Sequence, residues 1–475
     1  MPAAVLVQFG STAFTGDVTS WSESCPKRIN PISLAKVHGA KLSEQPPYDI
    51  RTVSISIAVH GTDAEDARTN LDNIINAFPE EIDKLYKHDD RYLNAYFAGI
   101  DSEEFSEGAA GLVLEANLRF VCPDPFYYAL TQTTSSTSAT GTQASRTVNA
   151  AAANADLTFT AREIGQLGNN IRIKMVSAGA ESIVTATTAI AATYTAGAVA
   201  ANADLTFTSV GTGTDDENIR IRMVTGTVEN MDIRAKDIKI TYNAGTSTAN
   251  TLKTLIDAND RARELVSVAV EGTGAGVWAA GDTMATFSRL IHGQQRDITV
   301  NYNATVSTAN SLKTLVDANV TANGWVSTAV EGAGTGLWAA GDADADFVYL
   351  TAGAPHQITI NNTGGTVVFP VITFTPAGGS VSTLKLLNAS NFPGRSFDFQ
   401  ASVASAQKLI GDFPSFNVTN NGTKDLNNWK QSDGTASDVI WLSTGNNTLE
   451  LEWTLPTSSA ATSITVDVRY TRRWI

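Results

Sequence analysis

The fold class this sequence predicts is mainly β with some α+β, and three observations predict it. The 475 residues are 43% hydrophobic but only 17% charged, with 36 Gly and abundant Thr, Ser, Ala and Asn, which suits short strands and turns better than long charged helices. Apolar and polar residues alternate in several stretches near both ends, as half-buried strands require. Between those ends the sequence repeats itself, with one short amphipathic helix in each copy. Cores stop growing at roughly 250 residues, so two to four domains are expected.

Residues 1–130 read as a β-rich domain with one helix. Val53, Ile55, Ile57 and Val59 alternate along a strand that stops at Gly61. Thr62 and Glu65 then stand at capping-box spacing, Leu71, Ile74, Ile75 and Phe78 share one helical face, and Pro79 closes the helix. RYLNAYFAGI and GLVLEANLRFVC follow as strands, and the prolines of PDPFYY interrupt any continuing ladder. Cys122 continues the alternation of Leu112, Leu114, Ala116, Leu118 and Phe120, so it reads as a buried thiol; Cys25 and Cys122 make no disulfide framework. Residues 131–147, which contain TQTTSSTSATGTQAS, have almost no apolar content and read as a flexible Ser/Thr-rich linker.

The middle of the chain holds two pairs of repeats. NADLTFT at Asn154 returns at Asn202, and NNIRIKMV at Asn169 returns as ENIRIRMV at Glu217, both at an offset of 48 residues. DIKITYNAGTSTANTLKTLIDAN from Asp237 returns as DITVNYNATVSTANSLKTLVDAN from Asp297, and VEGTGAGVWAAGD returns as VEGAGTGLWAAGD, at an offset of 60. The order front, front, back, back points to nested insertion: residues 197–293 form an inner domain placed in a loop of an outer domain made of 148–196 and 294–354. A swapped arrangement, with each front half paired to the other back half, is the alternative; the strand that pairs with Ile173 distinguishes the two. Each copy reads as small α+β, with a helix marked by Leu252, Leu255 and Ile256 and again by Leu312, Leu315 and Val316. Residues 355–475 are strand-rich once more: Leu449, Leu451, Trp453 and Leu455 alternate, as do Ile464, Val466, Val468 and Tyr470.

A net charge of -15 argues against a surface that grips phosphate, although DNA sliding past without specific binding is compatible with it. MPAAVLVQFG lacks the pattern of a signal peptide and no run approaches the roughly 18 apolar residues of a membrane helix, so a soluble protein made in the cytoplasm, without membrane insertion, is expected.

The two ends resemble the halves of a known family, the distal tail proteins of siphoviruses. At the first end the resemblance rests on a strand, the helix TDAEDARTNLDNIINAF, then DDRYLNAYFAG, a loop, EGAAGLVLEANLRFVCPDPF and a domain end. At the other it rests on ITINNTGGTVVFPVITFTP, a strand pair around LKLLN, WLSTGNNTLELEW and a final VDVRYTRRWI, which together resemble a galectin-like β-sandwich. It covers about half the chain; the middle departs from compact members of the family and looks like small domains of other phage tail proteins, sheaths included. The resemblance implies a homohexameric ring at the virion tail tip, with N-terminal ring (tail-tube-like) domains and outward sandwiches. Its implied partners are the tail tube protein, the tail-tip hub protein and the tape measure protein.

No pattern announces catalysis, so the chain is expected not to be an enzyme and to need no cofactor. His38, His60, His88, His292 and His356 are far apart and form no HExxH, HxH or Cys/His ligand set. Asp342, Asp344 and Asp346 have the spacing that opens a calcium loop, but Phe347 and Gly353 stand where such a loop needs Gly and Glu, so a solvated turn is expected and no metal site. VEGTGAGVW and VEGAGTGLW lack the GK[ST] of a P-loop and read as turns. Trp278 and Trp338 recur at the same repeat position and are the candidate glycan contacts, against a core role that their large apolar area favours. The acidic run Asp101, Glu103, Glu104 and Glu107 reads as a solvated loop or as a match for basic residues of a neighbouring subunit. The leading functional expectation is a structural ring at the tail tip whose inserted domains contact host surface or carbohydrate, with receptor-binding proteins or host glycans as further partners of the protein. A carbohydrate-binding adhesin or receptor-binding tail protein, and the major tail tube protein, are the competing expectations.

Overall fold

The computed structural model describes residues 8–13, 17–24, 50–88, 91–108, 111–213, 216–391, 395–429, 439–456 and 463–474. Cys25 and His38 lie outside them, as do the side chains of His88 and Glu107. The fold is mainly β, and the chain divides into two compact units: Met1–Thr133 with Thr363–Val368 and Tyr470–Ile475, and Thr134–Asn362 with Phe369–Arg469.

The first unit is built on β1 (Asp17–Ser24), β2 (Arg51–Gly61), β3 (Asp83–His88), β4 (Arg91–Gly108) and β5 (Gly111–Cys122). Their order across the sheet is β3-β4-β5-β2-β1, with the short strands Gln8–Phe9 and Thr12–Ala13 beyond β3. The alternation in β2 puts Val53, Ile55, Ile57 and Val59 in the core, where each buried aliphatic side chain contributes about 1.5–3 kcal/mol. Helix α1 (Ala64–Asn76) lays Ala67, Leu71 and Ile74 across β2 and β5. Its N-cap is Asp63, one residue later than the Thr62 and Glu65 pairing expected: Asp63 accepts the Asp66 N–H at 2.9 Å and Asp66 accepts the Thr62 N–H at 2.8 Å. A carboxylate caps a helix as well as a hydroxyl does, and two aspartates three apart do here what Thr and Glu would have done. Phe78 closes the far end against Phe9, Phe97 and Phe120, with centroids 5.1–5.8 Å apart. Strands β4 and β5 form one long hairpin, bulged at Phe97/Gly99 and Ile100/Ser102, where Gly99 takes a φ of 122°. The chain end returns to this unit: Arg473–Trp474 pairs antiparallel with Tyr127–Ala129, so residues 470–475 and 363–368 leave the expected 355–475 domain.

The second unit opens with a correction. The stretch read as a flexible linker forms two strands, β6 (Thr133–Ala139) and β7 (Gln143–Val148). Thr and Ser fit a half-exposed pleat, and burial of Ala139, Ala144 and Val148 holds the strands down, though so little apolar content left no visible alternation. The repeats follow as β8 (Leu157–Ile164), β9 (Ile171–Ser177), β10 (Ser182–Ala189), β11 (Arg220–Gly226), β12 (Asn230–Arg234), β13 (Asp237–Asn243), α2 (Ala249–Asp257), β14 (Gln294–Tyr302), α3 (Ala309–Ala318) and β15 (Val326–Val330). The pairing is the nested one. Ile173 in β9 lies opposite Ile298 in the parallel neighbour β14, while β11 pairs with β13 in the same register, Ile221 opposite Ile238. The cores are separate: one cluster draws only on residues between Ala192 and Leu290, the other on Ala144–Met175 and Ile298–Leu350. In the inner copy, β12 turns into β13 through Ala235 and Lys236, with Arg234 opposite Asp237. In the outer copy Ala186 stands opposite Asp297, and instead of a two-residue turn the hairpin runs on through Thr187, Thr188 and Ala189 before the inner domain begins.

The rest of the unit is a two-sheet sandwich. One sheet contains β16 (His356–Asn362), β17 (Thr383–Asn388) and β18 (Gly445–Thr454); the other has β19 (Ser463–Tyr470) with β6 at its edge. Strand β8 of the outer domain continues the first sheet by pairing Glu163 and Ile164 with Thr454 and Trp453. The insert therefore enters after the sandwich's first strand and shares a sheet with it.

Candidate functional site

The alternation in β18 sends Leu449, Leu451 and Trp453 into the sandwich core and Glu450 and Glu452 to the opposite face. In a free sandwich that face would meet water. Here the inner domain covers it, so both glutamates are buried in a charged seam. The inner domain contributes Arg220, Phe287 and Arg289; the sandwich contributes Lys385, Asp398, Glu450 and Glu452.

Arg289 and Glu452 form an ion pair of 2.5 Å with both side chains at most 7% exposed. The other Glu452 oxygen accepts the Gln166 N–H at 2.9 Å, and Glu450 accepts from Gln357 Nε2 at 3.2 Å. Arg220 forks onto Asp237 with 2.7 and 2.6 Å bonds, lies 4.9 Å from the Phe287 ring centroid and reaches the Asn391 carbonyl at 3.4 Å. The fork belongs to the repeat itself, since Arg172 grips Asp297 in the same way at 2.7 Å under Phe347. Arg289 does not: its counterpart at the offset of 60 is Tyr349, so this arginine is particular to the seam.

Electrostatics follow from burial. Desolvation pushes the carboxyls of Glu217, Asp398 and Glu450 above the ordinary range, with the nearby cations only partly offsetting it. Burial pushes Glu452 the same way, but the charges of Arg289 and Lys385 and the bonds from Gln166 and Arg289 outweigh it and hold Glu452 below the ordinary range. Beside the seam is an open cavity of about 520 Å³ lined by Thr140, Thr142, Gln166, Thr286, Phe287, Ser288, Arg289, Ala354, Pro355, His356, Gln357 and Glu450. Hydroxyl, amide, imidazole and carboxylate groups converge there, a lining able to hydrogen-bond a polar molecule.

The joint between inner and outer domains is polar too. Glu217 accepts from Asn170 Nδ2 at 2.7 Å and the Gly293 N–H at 2.8 Å, while Asn170 Oδ1 accepts the His292 N–H at 3.0 Å. Asn169, the repeat counterpart of Glu217, likewise accepts the Gly353 N–H at 2.9 Å.

The structure corrects the glycan contacts. Trp278 and Trp338 are 0% exposed and pack on Tyr242 and Tyr302 at 5.2 Å, so neither offers a face to a sugar; the apolar area of the indole is used in the two repeat cores. Asp342 and Asp344 are occupied as local ties: Asp342 accepts the Ala339 N–H at 2.7 Å, and Asp344 pairs with Arg146 at 2.7 Å and accepts the Met175 N–H at 2.8 Å. Among the described residues no three His, Cys, Asp or Glu side chains gather as a metal site. VEGTGAGVW and VEGAGTGLW are turns. Gly272 and Gly332 have φ of 49° and 51°, and a Cβ there would fall about 2 Å from the amide oxygen of Asn202 or Asn154. Asp101 pairs with Arg119 at 3.3 Å and Glu103 with Arg68 at 2.5 Å, both within the unit. Cys122 is buried. His356 lines the cavity, and the His292 ring lies tilted against Tyr349 with centroids 4.5 Å apart, where burial and Arg172 push its pKa down.

Sequence reasoning missed Arg289, Glu450 and Glu452. Two glutamates alternating with leucines look like a solvated strand face, and Arg289 falls in a stretch, 283–289, where the two repeats diverge at most positions, so its exchange for Tyr349 does not stand out.

No family profile and no curated protein matches the chain. The structure is similar to the crystal structure of the SPP1 Dit (gp 19.1) protein, described as a paradigm of the hub adsorption apparatus in phages that infect Gram-positive bacteria, with a TM-score of 0.38 and 8% identity over 99% of both chains. A likeness of that strength establishes neither family nor activity.

Proposed function

We propose that this chain is a structural protein of a phage tail, a distal tail protein that forms a homohexameric ring at the tail tip and joins the tail tube to the hub and adsorption apparatus. The observation that carries the reading is the order of segments at the two chain ends, strand, TDAEDARTNLDNIINAF, DRYL hairpin and CPDPF at one and the galectin-like strand series at the other. Each series coincides with a structured element set: α1 on its sheet with the β4–β5 hairpin, and the two-sheet sandwich. An adsorption hub is also what the SPP1 protein is described as, though the reading rests on this chain's own segments. The reading is non-catalytic: in the seam Glu452 serves Arg289 and the Gln166 N–H and ties the inner domain to the sandwich. Tube, hub and tape measure proteins are the partners it assigns, and the acidic chain lets DNA pass without sticking.

Negative-stain microscopy of the purified full-length protein tests it. Single closed six-fold rings are expected. Monomers at every concentration would overturn it, long stacked tubes would assign the major tube subunit, and monomers that bind glycans would assign an adhesin.

A further inference from the structure

Lys385 stands at the centre of the charged seam. On the sandwich sheet it lies directly opposite Glu452 of β18 on one side and Asp398 of the strand Arg395–Phe399 on the other. Residues opposed in this way share a face, so the three side chains form one row under the inner domain. Glu452 and Asp398 are buried and Lys385 is half-buried. The hydrogen bond that Lys385 Nζ makes is nonetheless to neither carboxylate. It goes to the side-chain carbonyl of Asn218, in the short turn Asp216–Asn218 of the inner domain, with Nζ and Oδ1 3.4 Å apart.

The repeat provides an internal control. Asn170, the counterpart of Asn218 at the offset of 48, has both ends of its amide tied, Nδ2 to Glu217 and Oδ1 to the His292 N–H. Among the described residues the amide of Asn218 is met by Lys385 alone. An amine, an amide and a buried carboxyl are thus brought together from two domains.

We propose that Lys385 and Asn218 join in a self-formed isopeptide bond between the sandwich and the inner domain, with Asp398 carrying the proton. Lys385 first passes one proton to Asp398, giving a neutral amine beside a neutral acid. Arg289 already neutralises Glu452, so the row needs no second cation, and burial lifts the Asp398 carboxyl above the ordinary range, which favours the transfer. The Nζ lone pair then attacks Cγ of Asn218 while Asp398 lends its proton to Oδ1. As the carbonyl re-forms, Asp398 takes that proton back, the Cγ–Nδ2 bond breaks, and Nδ2 leaves as ammonia with a proton from Nζ. Amine plus amide gives substituted amide plus ammonia, with no oxidant or further reactant. Holding the amine against the amide supplies by proximity what two free groups would need a collision to achieve. The bond joins residues 167 apart in sequence and keeps the inner domain on the sandwich even where the polar seam opens, and a cross-link also raises the cost of unfolding by confining the unfolded chain.

Mass spectrometry of the denatured full-length protein tests this whether or not the chain forms a ring. The wild type should weigh one ammonia less than its sequence, and its tryptic digest should contain a branched peptide that joins the Asn218 segment to the Lys385 segment, uncut after Lys385. Lys385→Arg and Asp398→Asn should each restore the full sequence mass. A variant that fails to fold would also show full mass, so the branched peptide of the wild type decides. A wild type at full mass, or a loss of ammonia that persists in Lys385→Arg, would overturn the bond; a loss that persists in Asp398→Asn would overturn the role of that carboxyl. Six-fold rings of full-mass chains would remove the bond and leave the tail-tip reading standing, so the two ideas fail separately.

Discussion

Glu450 and Glu452 stand two residues apart on one face of β18, yet the seam shifts their carboxyls in opposite directions. Glu450 is raised by burial, so its stabilising contribution is fully present below the ordinary glutamate value of about 4.3 and is lost as pH rises through the raised value. Glu217 and Asp398 act with the same sign. Glu452 is depressed, with Arg289 and Lys385 overcoming burial, so its contribution is present above the ordinary value and is lost as pH falls through the lowered one. The three raised carboxyls should therefore raise the melting temperature of the second unit as pH is lowered from neutral toward about 4.3, against His292, whose lowered pKa costs stability below about 6.5, and Glu452 should turn it down at lower pH still. Glu450→Gln should flatten the upper branch and Glu452→Gln the lower. Circular dichroism melts between those limits check this; an upper slope unaltered by Glu450→Gln would contradict the assignment.

The inner domain shows what an element needs in order to fold where it is placed. Its core cluster draws only on its own residues, from Ala192 to Leu290, with Trp278 on Tyr242 and helix α2 burying Leu252 and Ile256. It hangs from β10 and β14, whose partners Ala189 and Gln294 are adjacent and so bring its two ends together. Residues 190–293 alone should thus unfold in one cooperative urea transition, and Leu252→Ala should destabilise that fragment by about 2–5 kcal/mol, as Leu312→Ala should the outer domain in the full chain. A fragment without a cooperative transition would show that the inner core depends on its surroundings. The nesting was legible because both offsets are constant and the Leu252 and Leu312 helices carry their own periodicity. The strands β6 and β7 were not, because Thr and Ser mark a strand only through neighbours that sequence does not show. Nor was the seam: Glu452 is buried by a domain whose sequence lies about 160 residues away, and no local pattern records such a partner.

At the scale of the whole molecule, the topology decides where the chain can be cut. Removing 148–353 would take away β8, which pairs with β18 of the sandwich, and β15, which pairs with β8. The excision the fold permits is narrower: residues 187–296 replaced by the Ala-Lys turn that already joins Arg234 to Asp237 in the inner copy, so that Ala186 is joined to Asp297 in an equivalent hairpin. That excision removes Arg289 together with the rest of the inner domain that covers the Glu450 and Glu452 face, so both carboxylates return to water beside Lys385. So built, it should form the ring proposed for the full chain in negative stain, because none of the first unit's elements has been touched. It should adsorb to cells less well once assembled into particles, if the inner domain makes the contact with host surface. A lost ring in a shortened chain that still melts cooperatively would assign the inner domain to assembly; intact rings with undiminished adsorption would remove host contact from its role.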